Sequence, residues 1–181
     1  MPPAPPTAVG TTPHTTPVRT TLGGQAITVV LPADFTAFCQ LHYDVYQHYA
    51  HQLVANHDAA VDAVQHALGD LAASWAQALA GHRTAAIAWA ALTRRIHQAA
   101  RTPAGTAASA LYGLVPAPEA DAVLLHHVVG LSITACADTL GAEEATVTSL
   151  LHNFDRRLTA DGAEALRACW AAASRGTSHP L

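Results

Sequence analysis

The chain has 181 residues and a formal charge of −4; half of it is apolar, while aromatic residues make up only 6% and charged residues 12%. All nine basic residues are Arg, set against 13 Asp and Glu, which argues against a protein that holds nucleic acid mainly by neutralising phosphates. No apolar stretch reaches the ~20 residues of a spanning helix before His, Asp, Arg or Gln interrupts it, so no membrane contact is expected.

Residues 1–31 are rich in Pro and Thr and are read as a disordered tail, because such a segment buries too little to offset its ordering entropy. The apolar run Ile27 to Leu31 is compatible with a strand or a patch packed on the body, and is read as the tail's last stretch before Pro32 opens a helix. The tail has neither a basic n-region nor an apolar h-region, so it is no signal peptide and a cytoplasmic location is expected.

Residues 32–101 carry three helices. Phe35, Phe38, His42, Val45 and Tyr49 recur at steps of three and four, predicting a helix to about Ala55. A second helix has Ala60, Val61, Val64, Leu68, Leu71 and Trp75 on its apolar side and ends near Gly81. The third runs from Thr84 to Arg101 with Ile87, Trp89, Leu92 and Ile96 inward. Residues 102–116, with Pro and Gly and no charge, predict a linker with an apolar plug from Leu111 to Val115. Helical texture resumes over 117–158, and residues 159–181 predict a last helix around Ala163 to Ala172, then a frayed tail. The predicted fold is all-α, in two small helical modules.

The second module predicts a helix-turn-helix. Such a motif needs a small residue where two helices touch, a Gly in the turn and a β-branched residue in the second helix. Ala137, Gly141 and Val147 stand at those steps, and Ser132 stands where an N-cap belongs. Leu131, Cys136, Leu140, Val147 and Leu151 are then expected to face inward. A plain helical hairpin without DNA is the competing reading.

The stretch LVPAPEADAVLLHHVVGLSITACADTLGAEEATVTSLLHNFDRRL, residues 114–158, resembles the C-terminal conserved region of bacterial RNA polymerase sigma factors of the extracytoplasmic-function class. The first module resembles the same family: FTAFCQLHYDVYQHYAHQLVANHDAAVDAVQHALGDLAASW is similar to its first core-binding helices, and AWAALTRRIHQAAR to the helix that ends them. The resemblance implies docking on core RNA polymerase through Asp62 and Gln65. It implies promoter DNA as a ligand of Ser132, Thr134, Thr146, Thr148, Ser149, His152, Asn153, Arg156 and Arg157, and an anti-sigma or other regulatory protein as a further partner.

The departures from the family bear on DNA. Where it carries several basic groups, this chain has Thr148, Leu150, Asn153 and Asp155, and only Arg156 and Arg157 are basic. From Ala117 to Leu158 the two Arg face Glu119, Asp121, Asp138, Glu143, Glu144 and Asp155, so 2 − 6 gives −4. Glu143 and Glu144 suit a helix N-terminus but repel phosphate approaching there. DNA contact is therefore expected to be weak unless polymerase tethers it, and loss of DNA reading in favour of protein contacts is the alternative.

No phosphate loop, GxSxG or Cys with a local base is present, so no catalytic residue is expected. Cys39, Cys136 and Cys169 form no CxxC pair and read as free thiols. A metal-dependent enzyme built on His42, His48, His51 and His57 is a remote alternative, since neither HxxxH nor ExxH occurs; no metal or cofactor is expected. His126 and His127, being adjacent, are expected on different sides of their helix. Arg94 and Arg95 read equally as a phosphate track or a solvated helix end.

Overall fold

The computed structural model describes residues 16–22, 25–81, 83–100 and 106–176. The chain divides into two units, residues 1–40 and 41–181. The first contains an antiparallel hairpin of β1, Thr16–Leu22, and β2, Gln25–Leu31, in the register Val18 opposite Val29 and Thr20 opposite Ile27. The expectation of a wholly disordered tail is thus corrected for these residues. TPVRTTL and QAITVVL are rich in Val, Ile and Thr, which favour extended backbone and outweigh the scattered Pro. The rest of that expected tail, residues 1–15 and 23–24, lies outside the described residues.

From residue 33 onward all regular structure among the described residues is helical. Helix α1 is Ala33–Leu53 and α2 is His57–Ala73, where the Asn56 side chain caps the Ala59 N–H at 2.9 Å. The second helix stops at Ser74 rather than near Gly81. The Ser74 N–H turns back to the Leu71 carbonyl and its hydroxyl donates to the Asp70 carbonyl, so Trp75–Ala80 starts afresh as α3. Helix α4, Thr84–Ala99, packs on α2 and buries Trp89, Leu92 and Ile96. Ile87 is 42% exposed, against expectation, because it lies beside Gly81, which offers no side chain to cover it.

The expected linker contains α5, Ala107–Leu114, with Thr106 capping the Ser109 N–H. Pro116 falls outside the helix and Gly113 in its last turn, so neither interrupts it, and fully buried Leu111 anchors it. Helix α6, Ala117–Val123, continues into a π-helical turn, Leu124–Val128, closed by the Val129 N–H on the Leu124 carbonyl at 2.8 Å. Then come α7, Ile133–Leu140, α8, Glu144–Arg157, and α9, Ala160–Gly176, which is longer than expected.

Helix α6 packs on α8, α7 on α8 and α4, and α5 on α9. Residues 41–181 therefore form one unit rather than two modules held apart by a linker. Tyr46, Tyr49, Leu71, Leu92, Ile96, Leu111, Leu124, Leu125, Val147 and Phe154 are its largest fully enclosed side chains, drawn from both expected modules. Val45 and Leu68 are only half-buried, while Tyr46 takes the inward place.

Candidate functional site

Helices α7 and α8 are built around a left-handed turn. The Ser132 hydroxyl accepts the Ala135 N–H at 3.1 Å, starting α7, and Gly141 ends it at φ +63°. Ala137 and Cys136 are buried from α7, and Val147, Leu151 and Phe154 from α8. Leu131 and Leu140 are half-buried, because both flank the chain's exits from the helical ladder and not the helix contact. Gly141 also meets another element: a Cβ there would stand 2.1 Å from the Ala86 backbone nitrogen of α4.

The residues expected at DNA separate into four groups. Thr148, Ser149, His152 and Arg156 lie with Ala145 on one exposed stripe of α8. Asn153, half-buried, and Arg157, exposed, lie on its flank. Thr146 lines a cleft of about 620 Å³ with Arg83, Thr84, Asp138 and Glu143, so the α4 start stands beside it. Ser132 and Thr134 are exposed at the opening of α7. The hydroxyls of Thr148 and Ser149 donate to the Glu144 and Ala145 carbonyls, leaving their lone pairs to accept.

Two of the six acids counted in the sequence are not on the surface. Glu119 and Asp121 are buried, which leaves Asp138, Glu143, Glu144 and Asp155 exposed. Arg157 Nη1 lies 3.7 Å from Glu119 Oε1. Asp62 and Gln65, the residues expected at polymerase, are exposed three apart on α2. Arg94 and Arg95 lie near the end of α4, Arg94 exposed and Arg95 half-buried, and both meet Asp70, Arg95 through Nε and Nη2 at 2.8 Å each. That hydrogen bonding holds the Asp70 carboxyl below its ordinary range.

The most elaborate polar cluster was not anticipated. Asp121 of α6 accepts the Tyr49 hydroxyl of α1 at 2.6 Å, the Trp89 Nε1–H of α4 at 3.2 Å and the Tyr112 hydroxyl of α5. Tyr49 and Tyr112 hydroxyls are themselves 2.5 Å apart. Burial, then the Asp121 charge, pushes both phenols well above their ordinary range. One signal was legible: Asp121 directly precedes the apolar run AVLL, where a carboxylate needs donors, and Tyr and Trp supply them.

The described His residues do not assemble a ligand set. His42 is buried and stacks on Tyr46 with ring centroids 5.5 Å apart, and burial lowers its pKa, opposed by Asp138. His51 stacks on His57 at 4.5 Å with the rings 6° from parallel, so their nitrogens point along separate planes. Burial, then His57 and His48, lowers the His51 pKa. Among the described residues no three His, Cys, Asp or Glu side chains are placed to hold a metal ion. His126 and His127 do not diverge as expected: their centroids are 4.7 Å apart, since the π-helical turn alters the angular step between neighbours. The cysteines are free, and burial pushes the Cys136 and Cys169 thiols up to about 11, which makes them poor nucleophiles.

No helix among the described residues is long and apolar enough to cross a membrane. No protein-family profile, curated protein or solved structure matches this chain.

Proposed function

We propose that this chain is a sigma-factor-like transcription initiation protein, non-catalytic and acting in the cytoplasm. In this reading α2 docks on core RNA polymerase through Asp62 and Gln65, and α7 with α8 is a helix-turn-helix brought to promoter DNA. The observation that carries it is the uncovered polar stripe Thr148, Ser149, His152 and Arg156 on α8, behind which Ala137, Gly141 and Val147 form the scaffold such a motif needs. Hydroxyl, imidazole and guanidinium groups read base edges and phosphates. With one unpaired Arg at that stripe, affinity for duplex comes mainly from tethering to polymerase, which raises effective concentration.

Capture on immobilised core polymerase tests the reading. Wild type is expected to be retained and Asp62→Arg lost with helicity unchanged; equal retention of the two overturns the docking surface. The protein alone is expected to give no shift of duplex DNA at physiological salt. Replacing Thr148, Ser149 and His152 together by Arg is expected to create salt-dependent binding, with a slope of log affinity on log salt steeper by about 0.9 per phosphate engaged. Leu150 and Asn153 are half-buried and unsuited to that role.

A second reading, a divergent relative that acts through protein contacts alone, is favoured by the four exposed acids around α8 and by the engagement of Arg157 with Glu119. It predicts polymerase capture with no promoter protection, and no gain from the three added Arg.

A further inference from the structure

Glu119 is an acid in an unaccustomed place. It lies in the first turn of α6, with its side chain 6% exposed and its Oε2 buried without a hydrogen-bond partner. A carboxylate removed from water needs compensating charge or donors. Arg157 of α8 provides the charge, with Nη1 3.7 Å from Oε1 and its own side chain 57% exposed. That separation is an ionic contact and not a two-pronged hydrogen-bonded fork, so it biases where the guanidinium sits and can be outcompeted by a closer anion. Arg156, one position earlier, faces the exposed stripe and forms no ion pair among the described residues.

We propose that Glu119 is a positioning residue that withholds Arg157 from nucleic-acid phosphate, keeping its guanidinium on the flank of α8 that meets α6. This rests on the reading of α8 as the DNA-facing helix and adds a control on it. The ligand that competes for Arg157 is a phosphodiester group of duplex DNA, which fits a guanidinium in two-pronged fashion. The buried acid and the phosphate cannot both hold the same guanidinium squarely, since the first draws it toward the α6 contact and the second toward solvent. The consequence is a helix end with two adjacent exposed Arg, of which Arg157 is committed to an acid and Arg156 forms no ion pair among the described residues.

The test compares wild type, Glu119→Gln, Arg157→Gln and the double variant, using fluorescence anisotropy of a labelled mixed-sequence duplex of about 30 bp between about 50 and 200 mM salt. Glu119→Gln is expected to bind about threefold to tenfold tighter at the lowest salt, with a slope on log salt steeper by about 0.9. Arg157→Gln alone is expected to stay within about twofold of wild type, and in the double variant to erase the gain. Glu119→Met, close in volume, should give the same gain, while Glu119→Asp, which keeps the charge, should not. Far-UV circular dichroism and denaturation midpoints verify that each variant is folded.

A Glu119→Gln curve superimposable on wild type overturns the inference and leaves the DNA-facing reading standing. A gain that persists in the double variant also overturns it, because removal of negative charge alone then explains the effect. If no variant binds at the lowest salt, and the polymerase-bound protein protects no DNA, the DNA-facing reading fails and the inference fails with it.

Discussion

Asp121→Ala is expected to lower the stability of the protein by about 3–5 kcal/mol, because it leaves three neutral donors without the acceptor they share. Three donors converge on this carboxylate from α1, α4 and α5; Tyr49 and Trp89 are buried and Tyr112 is half-buried. Removing the acceptor strands the Tyr49 and Tyr112 hydroxyls and the Trp89 indole N–H, each an unsatisfied buried group costing about 1–3 kcal/mol before relaxation. The two hydroxyls can still bond one another, which keeps the total below the sum. Urea unfolding should show a lower midpoint at unchanged m, and Tyr112→Phe, which removes a single donor, about 1 kcal/mol. A midpoint equal to wild type for Asp121→Ala would mean that the four helices do not meet at this carboxylate.

The same cluster sets a basic limit on the fold. Both phenols have raised pKa values in the native protein, so their contribution to stability is complete below the unfolded value of about 10 and is lost as pH rises past it. Each Tyr then withdraws up to about 1.4 kcal/mol per pH unit. Cys136 and Cys169 behave alike but earlier, from the unfolded thiol value of about 8.5 to their native value of about 11. Melting temperature should therefore fall in two stages between about pH 8.5 and 11, and Tyr112→Phe should blunt the second stage without touching the first.

What the sequence disclosed follows from how far each signal reaches along the chain. Periodicity at three and four is local, and it located α1, α2 and α4, while the spacing of Ala137, Gly141 and Val147 located α7 and α8 with the Ser132 cap. Composition misled at 102–116, because Pro and Gly weigh against a helix wherever they stand, while here Pro103 and Gly105 precede the helix, Gly113 is in its last turn and Pro116 follows it. Separation into modules was a one-dimensional inference from that same segment. It could not register that Tyr49, Trp89 and Tyr112 all need the acceptor that Asp121 supplies, since the need is satisfied across 72, 32 and 9 residues. The candidate stripe on α8 was readable as a set of polar residues. Which of them share a face with Arg156, and that Glu119 occupies Arg157, depends on how α6 lies against α8.

Gly141→Ala should be at least as informative as loss of the carboxylate, because it tests packing and not polarity. Two costs combine at this position. The backbone is at φ +63°, which a residue with a Cβ adopts at about 1 kcal/mol. The added methyl would also stand 2.1 Å from the Ala86 nitrogen and 2.7 Å from its Cα, atoms of a helix backbone that cannot rotate away. The α7–α8 turn and the start of α4 must then separate, giving up the packing between α4 and α7, and overpacking of this kind adds about 1–3 kcal/mol. A total near 2–4 kcal/mol is expected in urea unfolding. Gly130 supplies the internal comparison, with φ +87° and nothing within 4 Å of an added Cβ. Gly130→Ala should therefore show the backbone cost alone, about 1 kcal/mol, with α4 and α7 still in contact. If the two substitutions cost the same, the clash with Ala86 does not exist in solution. The α7–α8 pair would then stand away from α4, as the two-module reading of the sequence expects.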